Sequence, residues 1–174
     1  FSMHNGLDMI YWSLIEALKI QKNHKIEFNN NNLYTKQIRY PNDLGLLNEA
    51  REKTEVILDM LFDLLREQLK VKPRTYRREA HKVYLSQAKK KKKNKKELRK
   101  AMRNGLNCIK RNMGHIDKML DMIGTSFPLE QKYQKQLWVI HTMWNQQWEM
   151  FISHTHRCDH RIVSISQPHV RPIV

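Results

Sequence analysis

Three stretches of this chain step their apolar residues by alternating threes and fours for five turns or more, and that rhythm admits only long helices. Leu47, Ala50, Thr54, Ile57, Leu61 and Leu64 form the first, within DLGLLNEAREKTEVILDMLFDLLREQLK. Leu98, Met102, Leu106, Ile109, Met113, Ile116, Leu120 and Ile123 form the second. Leu129, Tyr133, Leu137, Ile140, Trp144, Trp148 and Phe151 form the third. A helix turns once per 3.6 residues, so each set falls on one stripe that must be buried against another element. Only five Gly and five Pro occur in 174 residues, too few for a turn-rich β protein.

The punctuation fits. Asn42 or Asp43, after Pro41, is a natural N-cap for the first long helix. Pro73 is expected to stop it after roughly 27 residues, about 40 Å. Glu49 and Lys53, at i,i+4, support its wet face. RTYRREAHKVYLSQAKK reads as a further helix with Tyr76, Ala80, Val83 and Ala88 on one side. The lysine run SQAKKKKKNKKELRK interrupts it, and Gly124 should cap the helix that follows. The last two long helices, joined by GTSFP, are expected to pair as an antiparallel hairpin, and the others to complete a helical bundle or coiled-coil stalk. The fold class is thus all-α.

Three regions follow. Residues 1–37 hold a short amphipathic helix over residues 7–20 (Leu7, Ile10, Leu14, Leu18) and the loop NHKIEFNNNNLYTKQ. Residues 38–153 are the basic helical region. Residues 154–174, with Ile162, Val163, Ile165, Val170, Pro168 and Pro172, read as an extended segment leaving the helices. No run of 18 apolar residues exists to span a membrane, and the opening FSMHNGLDMIYWSLIEALKIQ lacks the features of a secretory signal. The chain opens at Phe1 and stops abruptly at Val174, and it is expected to be a piece of a longer protein.

The formal net charge of +15 is concentrated in one place. Between Lys70 and Arg111 stand 18 Lys or Arg against Glu79 and Glu97 alone, while the rest of the chain is nearly neutral. Such localisation is the footprint of a phosphate-backbone binder. A solvated loop is the plainer reading of the lysines. The positive charge, however, continues into the helices on both sides, where rigid faces hold phosphates at less ordering cost than a free tail. The candidate DNA-binding residues are Arg74, Arg77, Arg78, Lys82, Lys89, Lys90, Lys91, Lys92, Lys93, Lys95, Lys96, Arg99, Lys100 and Arg103. Few aromatics lie among them, which favours duplex backbone over single-strand stacking.

Other chemistry is weakly signalled. HTHRCDH gathers His154, His156, Cys158, Asp159 and His160, but no second ligand set announces itself to close a metal site. Cys108 and Cys158 are too few for a disulfide framework. No phosphate loop, nucleophile elbow or HExxH appears, and the pairs Glu49/Glu52 and Asp117/Asp121 read as ordinary surface charge.

Two stretches carry a more specific signal. IRYPNDLGLLNEAREKTE (Ile38 to Glu55) and RIVSISQPHVRPIV (Arg161 to Val174) resemble the DDE transposases of bacterial insertion sequences, in the insertion-sequence-five-type group. KPRTYRREAHKVYL and KRNMGHIDKML are similar to the same proteins, so the resemblance spans about residues 38–174. It implies DNA transposition by an RNase H-like core, mostly absent from this chain, in which carboxylates hold two Mg²⁺ ions for cleavage and strand transfer. The helical region would be an insertion into that core, binding the duplex DNA of transposon ends. Arg171 would be a contact near the active site. The setting implied is the bacterial cytoplasm, on the nucleoid.

In such proteins the first catalytic Asp precedes the IRYP-like motif in a segment similar to DATxxPxxI. Eight positions before Ile38 stands Asn30, a neutral amide and a poorer ligand than carboxylate for Mg²⁺. The other two acids would follow Val174. No catalytic residue and no cofactor is therefore assigned to this chain, with Glu27 the one speculative acid near the expected position. The alternative is a non-catalytic interaction module, a coiled-coil homodimer whose lysine-rich loop is merely solvated.

Overall fold

Asn42 opens the first helix by accepting a hydrogen bond from the Leu44 amide at 3.1 Å, satisfying a donor that the first turn leaves free. From there α1 (Asp43–Leu64), α2 (Arg77–Ala88), α3 (Lys95–Ile123) and α4 (Gln131–Ser153) follow in order. The computed structural model describes residues 42–92, 94–124 and 127–170, and no strand occurs among them. The chain divides between Tyr40 and Pro41, so every described residue belongs to the second unit. The expected helix over 7–20, the asparagine loop, Glu27, Asn30, Lys93 and Arg171 lie outside the described residues.

The principal helix pair is α1 with α3. A Cβ on Gly105 would sit 3.4 Å from that of Leu47, and Asn112 donates to the Thr54 hydroxyl at 3.1 Å. The second contact lies one heptad beyond the first on both helices, so α1 and α3 run parallel in constant register. Gly105, Ala50 and Ala101 let the two backbones approach closely. By contrast α4 meets α3 through bulk: the Trp144 indole donates to the Leu106 carbonyl at 2.9 Å, and Arg99 donates to the Phe151 carbonyl at 2.9 Å. These pairs descend α3 as they climb α4, so those two helices are antiparallel. The third chain direction is set by α2, which places Arg77 against Asp59 and His81 near Glu52 and therefore runs antiparallel to α1.

The core collects Leu46, Leu47 and Ala50 from α1, Leu106 and Ile109 from α3, and Val139, Ile140 and Met143 from α4. The α4 stripe is rotated from its expected position. Ile140, Met143, Gln147 and Met150 face inward, while Trp144, Trp148 and Phe151 cover the flank as a stacked row. Inside the α1–α3 seam sits a polar layer in which Thr54 and Asn112 are both fully buried. Beside it Arg51 and Glu55 pair at 2.6 Å with side chains almost wholly covered.

Two boundaries differ from expectation. α1 ends at Leu64, well before Pro73, because Leu65 closes the last turn with bonds to the Leu61 and Phe62 carbonyls and buries its own side chain. Beyond it a single turn closes on the Leu65 carbonyl through the Gln68 and Leu69 amides, and Arg66, Glu67 and Gln68 offer no apolar stripe to extend it. The segment after α4 does not leave the helices. Left-handed residues at His154 and His160 turn it back. The Gln146 amide then grips the carbonyls of Asp159 and His160 and the Ile162 amide, and Ile162 and Ile165 enter the common core. The β-branched residues that suggested an extended exit are spent on burial.

Candidate nucleic-acid interface

The cations of the basic segment fall into two populations. In the first, the charge is already answered. Arg77 donates to both oxygens of Asp59 at 3.0 and 2.7 Å, and Lys72 joins the same carboxylate at 2.9 Å. Burial alone would raise the Asp59 carboxyl, but these two cations outweigh it and hold it below its ordinary value, while the Asp59 bond raises Arg77. Arg99 lies 4.1 Å over the Phe151 ring, with hydrogen-bond contacts to Phe151 and His154. Arg111 donates to the Thr75 carbonyl at 2.7 Å and lies over Tyr76, whose left-handed conformation starts α2. Lys90 pairs with Glu97, whose carboxyl its hydrogen bond lowers.

In the second population Arg74, Arg78, Lys82, Lys89, Lys91, Lys92, Lys95, Lys96, Lys100 and Arg103 are exposed, and none has an ion-pair partner among the described residues. Of the expected contacts, then, Arg77, Arg99 and Lys90 are structurally engaged, and Lys93 and Arg171 lie outside the described residues.

The lysine run is split by the fold. Lys89 to Lys92 form the turn after α2, and Lys95 and Lys96 belong to the first turn of α3. Asn94 caps that turn by accepting from the Lys96 amide at 2.9 Å. Sequence periodicity located α3 by its apolar stripe and so missed what lies opposite. Lys96, Lys100, Arg103, Asn107, Lys110 and Lys118 recur by threes and fours on the outer face, with Gly114 completing the spacing. All six side chains are exposed. Lys110 leans toward the Trp148 ring at 6.0 Å. His115, on the same helix, has its pKa lowered by burial and by Lys118 and Arg111.

The aromatics near this face are closed. Trp144 and Trp148 stack with centroids 5.4 Å apart, Phe151 continues the row at 6.2 Å, and Arg99 covers its end. The inner ring faces of this row are thus taken by one another, and its Phe151 end by Arg99.

The HTHRCDH residues do not converge. His154 contacts Arg99, and His154 and His156 line a cavity of about 380 Å³ together with Lys95 and Arg99, cations that oppose a metal ion. Among the described residues no three His, Cys, Asp or Glu side chains are grouped to hold a metal. No described helix is long and apolar enough to cross a membrane.

One pair read as surface charge behaves otherwise. Burial, with Asp121 adding repulsion, pushes the Asp117 carboxyl up to about 6, and its Oδ1 is buried without a hydrogen-bond partner.

Comparison with known proteins finds no family model, no curated protein and no solved structure that matches the chain. What the fold and site define is a class: an all-helical region, among the described residues, that exposes unpaired cations along α2, the turn after it and α3.

Proposed function

We propose that this chain is a piece of a DDE transposase of the insertion-sequence-five type, and that its helices form a bundle inserted into an RNase H-like core to bind transposon DNA. The observation that carries the DNA-binding part is the second cation population. Ten exposed Lys and Arg, on the link before α2, on α2, in the turn after it and on α3, form no ion pair among the described residues, whereas Lys72, Arg77 and Arg161 each meet a carboxylate. Mutual repulsion makes such a surface costly unless a polyanion covers it.

The insertion part draws support from where the helical region starts and finishes. Asp43, inside the IRYPNDLGLL motif, is bonded by Arg161, the first residue of the RIVSISQPHVRPIV motif, and by Gln147. The two stretches that carry the resemblance thus meet, as the two strands of chain leading into and out of an inserted unit do. Catalysis is not assigned to the helical region. The full protein's Mg²⁺ would be held by core acids.

The interaction-module alternative needs apolar stripes free to dimerise. Leu47, Ala50, Ile57 and Leu61, and Leu106, Ile109 and Ile116, are already buried within the chain. A mobility-shift titration of the whole chain on a 30-base-pair duplex, with sedimentation equilibrium alongside, separates the readings. Duplex binding at low salt supports the transposase reading. A tight dimer without DNA affinity supports the module.

A further inference from the structure

The proposed function leaves open which of the unpaired cations grip the DNA, and the obvious choice is the lysine-rich turn. We infer that the gripping surface is instead the outer face of α3, from Lys96 to Lys118, and that its partner is the backbone of a DNA duplex; this rests on the DNA-binding reading above and deepens it.

Lys96, Lys100, Arg103, Lys110 and Lys118 lie on one line of a single helix, with Asn107 and Gly114 filling the spacing. Twenty-two residues at 1.5 Å each give a stripe of about 33 Å, close to the ~34 Å of one duplex turn. The helix beneath is anchored through Ala101, Leu106, Ile109, Ile116 and Met119, all buried. Each cation on it therefore loses little backbone freedom when it meets a phosphate, whereas in the turn Lys90 is held by Glu97 and Lys91 and Lys92 stand outside any helix.

The stripe also violates the rules of a free helix. Lys95 and Lys96 sit at an N-terminus, where the helix dipole disfavours positive charge. Lys96 and Lys100 are a like-charge i,i+4 pair, and Lys100 and Arg103 an i,i+3 pair, which destabilise a helix rather than support it. Local rules broken without an internal compensation mark a surface shaped for a partner. At its far end Asp121, exposed beside Lys118, closes the positive line.

The duplex is favoured over a single strand by what flanks the stripe. Binding unpaired bases needs open aromatic faces, and along this flank Trp148 and Phe151 have theirs covered by Trp144, by each other and by Arg99. Backbone contacts from a straight rigid line suit the regular phosphates of a duplex. Arg77 and Arg99, engaged internally, are positioning residues for α2 and α4 rather than contacts.

Fluorescence anisotropy with the whole chain and a 30-base-pair duplex, in a salt series, tests this. Two variants are compared, K100Q/R103Q/K110Q/K118Q on the stripe and K89Q/K91Q/K92Q in the turn, each checked by circular dichroism. The stripe variant is expected to lose on the order of 10²–10³-fold in affinity at 0.1 M salt, with the log–log slope falling by roughly 3–4. The turn variant should lose under about tenfold, and K100R/K110R/K118R should bind as the parent does. A single strand of equal length should bind at least about tenfold more weakly than the duplex. Large loss in the turn variant with little in the stripe variant overturns the α3 assignment while leaving DNA binding standing. Equal affinity for single strand and duplex overturns the duplex partner. Absence of binding by the unaltered chain at low salt overturns both this inference and the reading it rests on.

Discussion

At Asp43 the charge has an answer. Arg161 and Gln147 converge on its carboxylate, Arg161 also donates to the His156 carbonyl at 3.0 Å, and the backbone nearby is held by Gln146. On the exposed faces of α2 and α3 the same residue types stand unanswered. Arg78, Lys82, Lys100 and Arg103 project from ordered helices and form no ion pair among the described residues. The difference separates cations that hold the fold together from cations that wait for something outside it. Sequence position alone does not make that separation, since Arg77 belongs to the first group and Arg78 to the second.

The contrast can be broken hardest where a cation is buried. Arg51→Ala would leave the buried Glu55 carboxylate with only the Arg77 guanidinium at 4.0 Å and should cost about 3 kcal/mol, read by urea unfolding. The exposed cations should behave in the opposite way. Relieving the α3 stripe by Lys100→Gln should leave stability unchanged or raise it by a few tenths of a kcal/mol while weakening DNA binding. Equal destabilisation by both changes would erase the distinction between the two populations.

Smaller effects sharpen it. Asp117 is an acid whose folded-state pKa, about 6, lies above its ordinary 3.8. Its contribution is therefore unfavourable above pH 6, shrinks as pH falls toward 3.8, and vanishes below it. Asp117→Asn should stabilise the fold at pH 7 by on the order of 1 kcal/mol, discounted for its partial exposure and read as a raised melting temperature, and should do nothing at pH 3. The two central glycines of α3 should also separate. Gly114 has open space where a Cβ would stand, so Gly114→Ala should stabilise by about 1 kcal/mol. Gly105 faces Leu47 at 3.4 Å, so Gly105→Leu should destabilise by about 1–3 kcal/mol through overpacking.

Much of this architecture was legible in residue spacing. The apolar stripes located α1, α3 and α4, and Asn42 and Gly124 marked two ends where the capping geometry is found. Spacing along one helix carries no information about which helix lies opposite. The parallel α1–α3 pairing depends on Gly105, Ala50 and Ala101, small residues that look unremarkable in a list of hydrophobics. The return of the C-terminal segment was hidden for a related reason: Ile162 and Ile165 read as extended chain, and only Gln146 and the left-handed His160 show that the chain folds back. The charged residues were visible as a cluster, but their pairing was not, because Asp59 reaches Arg77 across the whole link from α1 to α2.

The most direct measurement is the slope of log Kd against log salt concentration for the unaltered chain on a duplex. If roughly 6–10 phosphates are neutralised by the unpaired cations, the slope should be about 5–9, with affinity falling about 10³–10⁵-fold between 50 and 200 mM salt. A slope near zero, or no binding at 50 mM salt, would contradict the reading of the α2–α3 face as a duplex-binding surface.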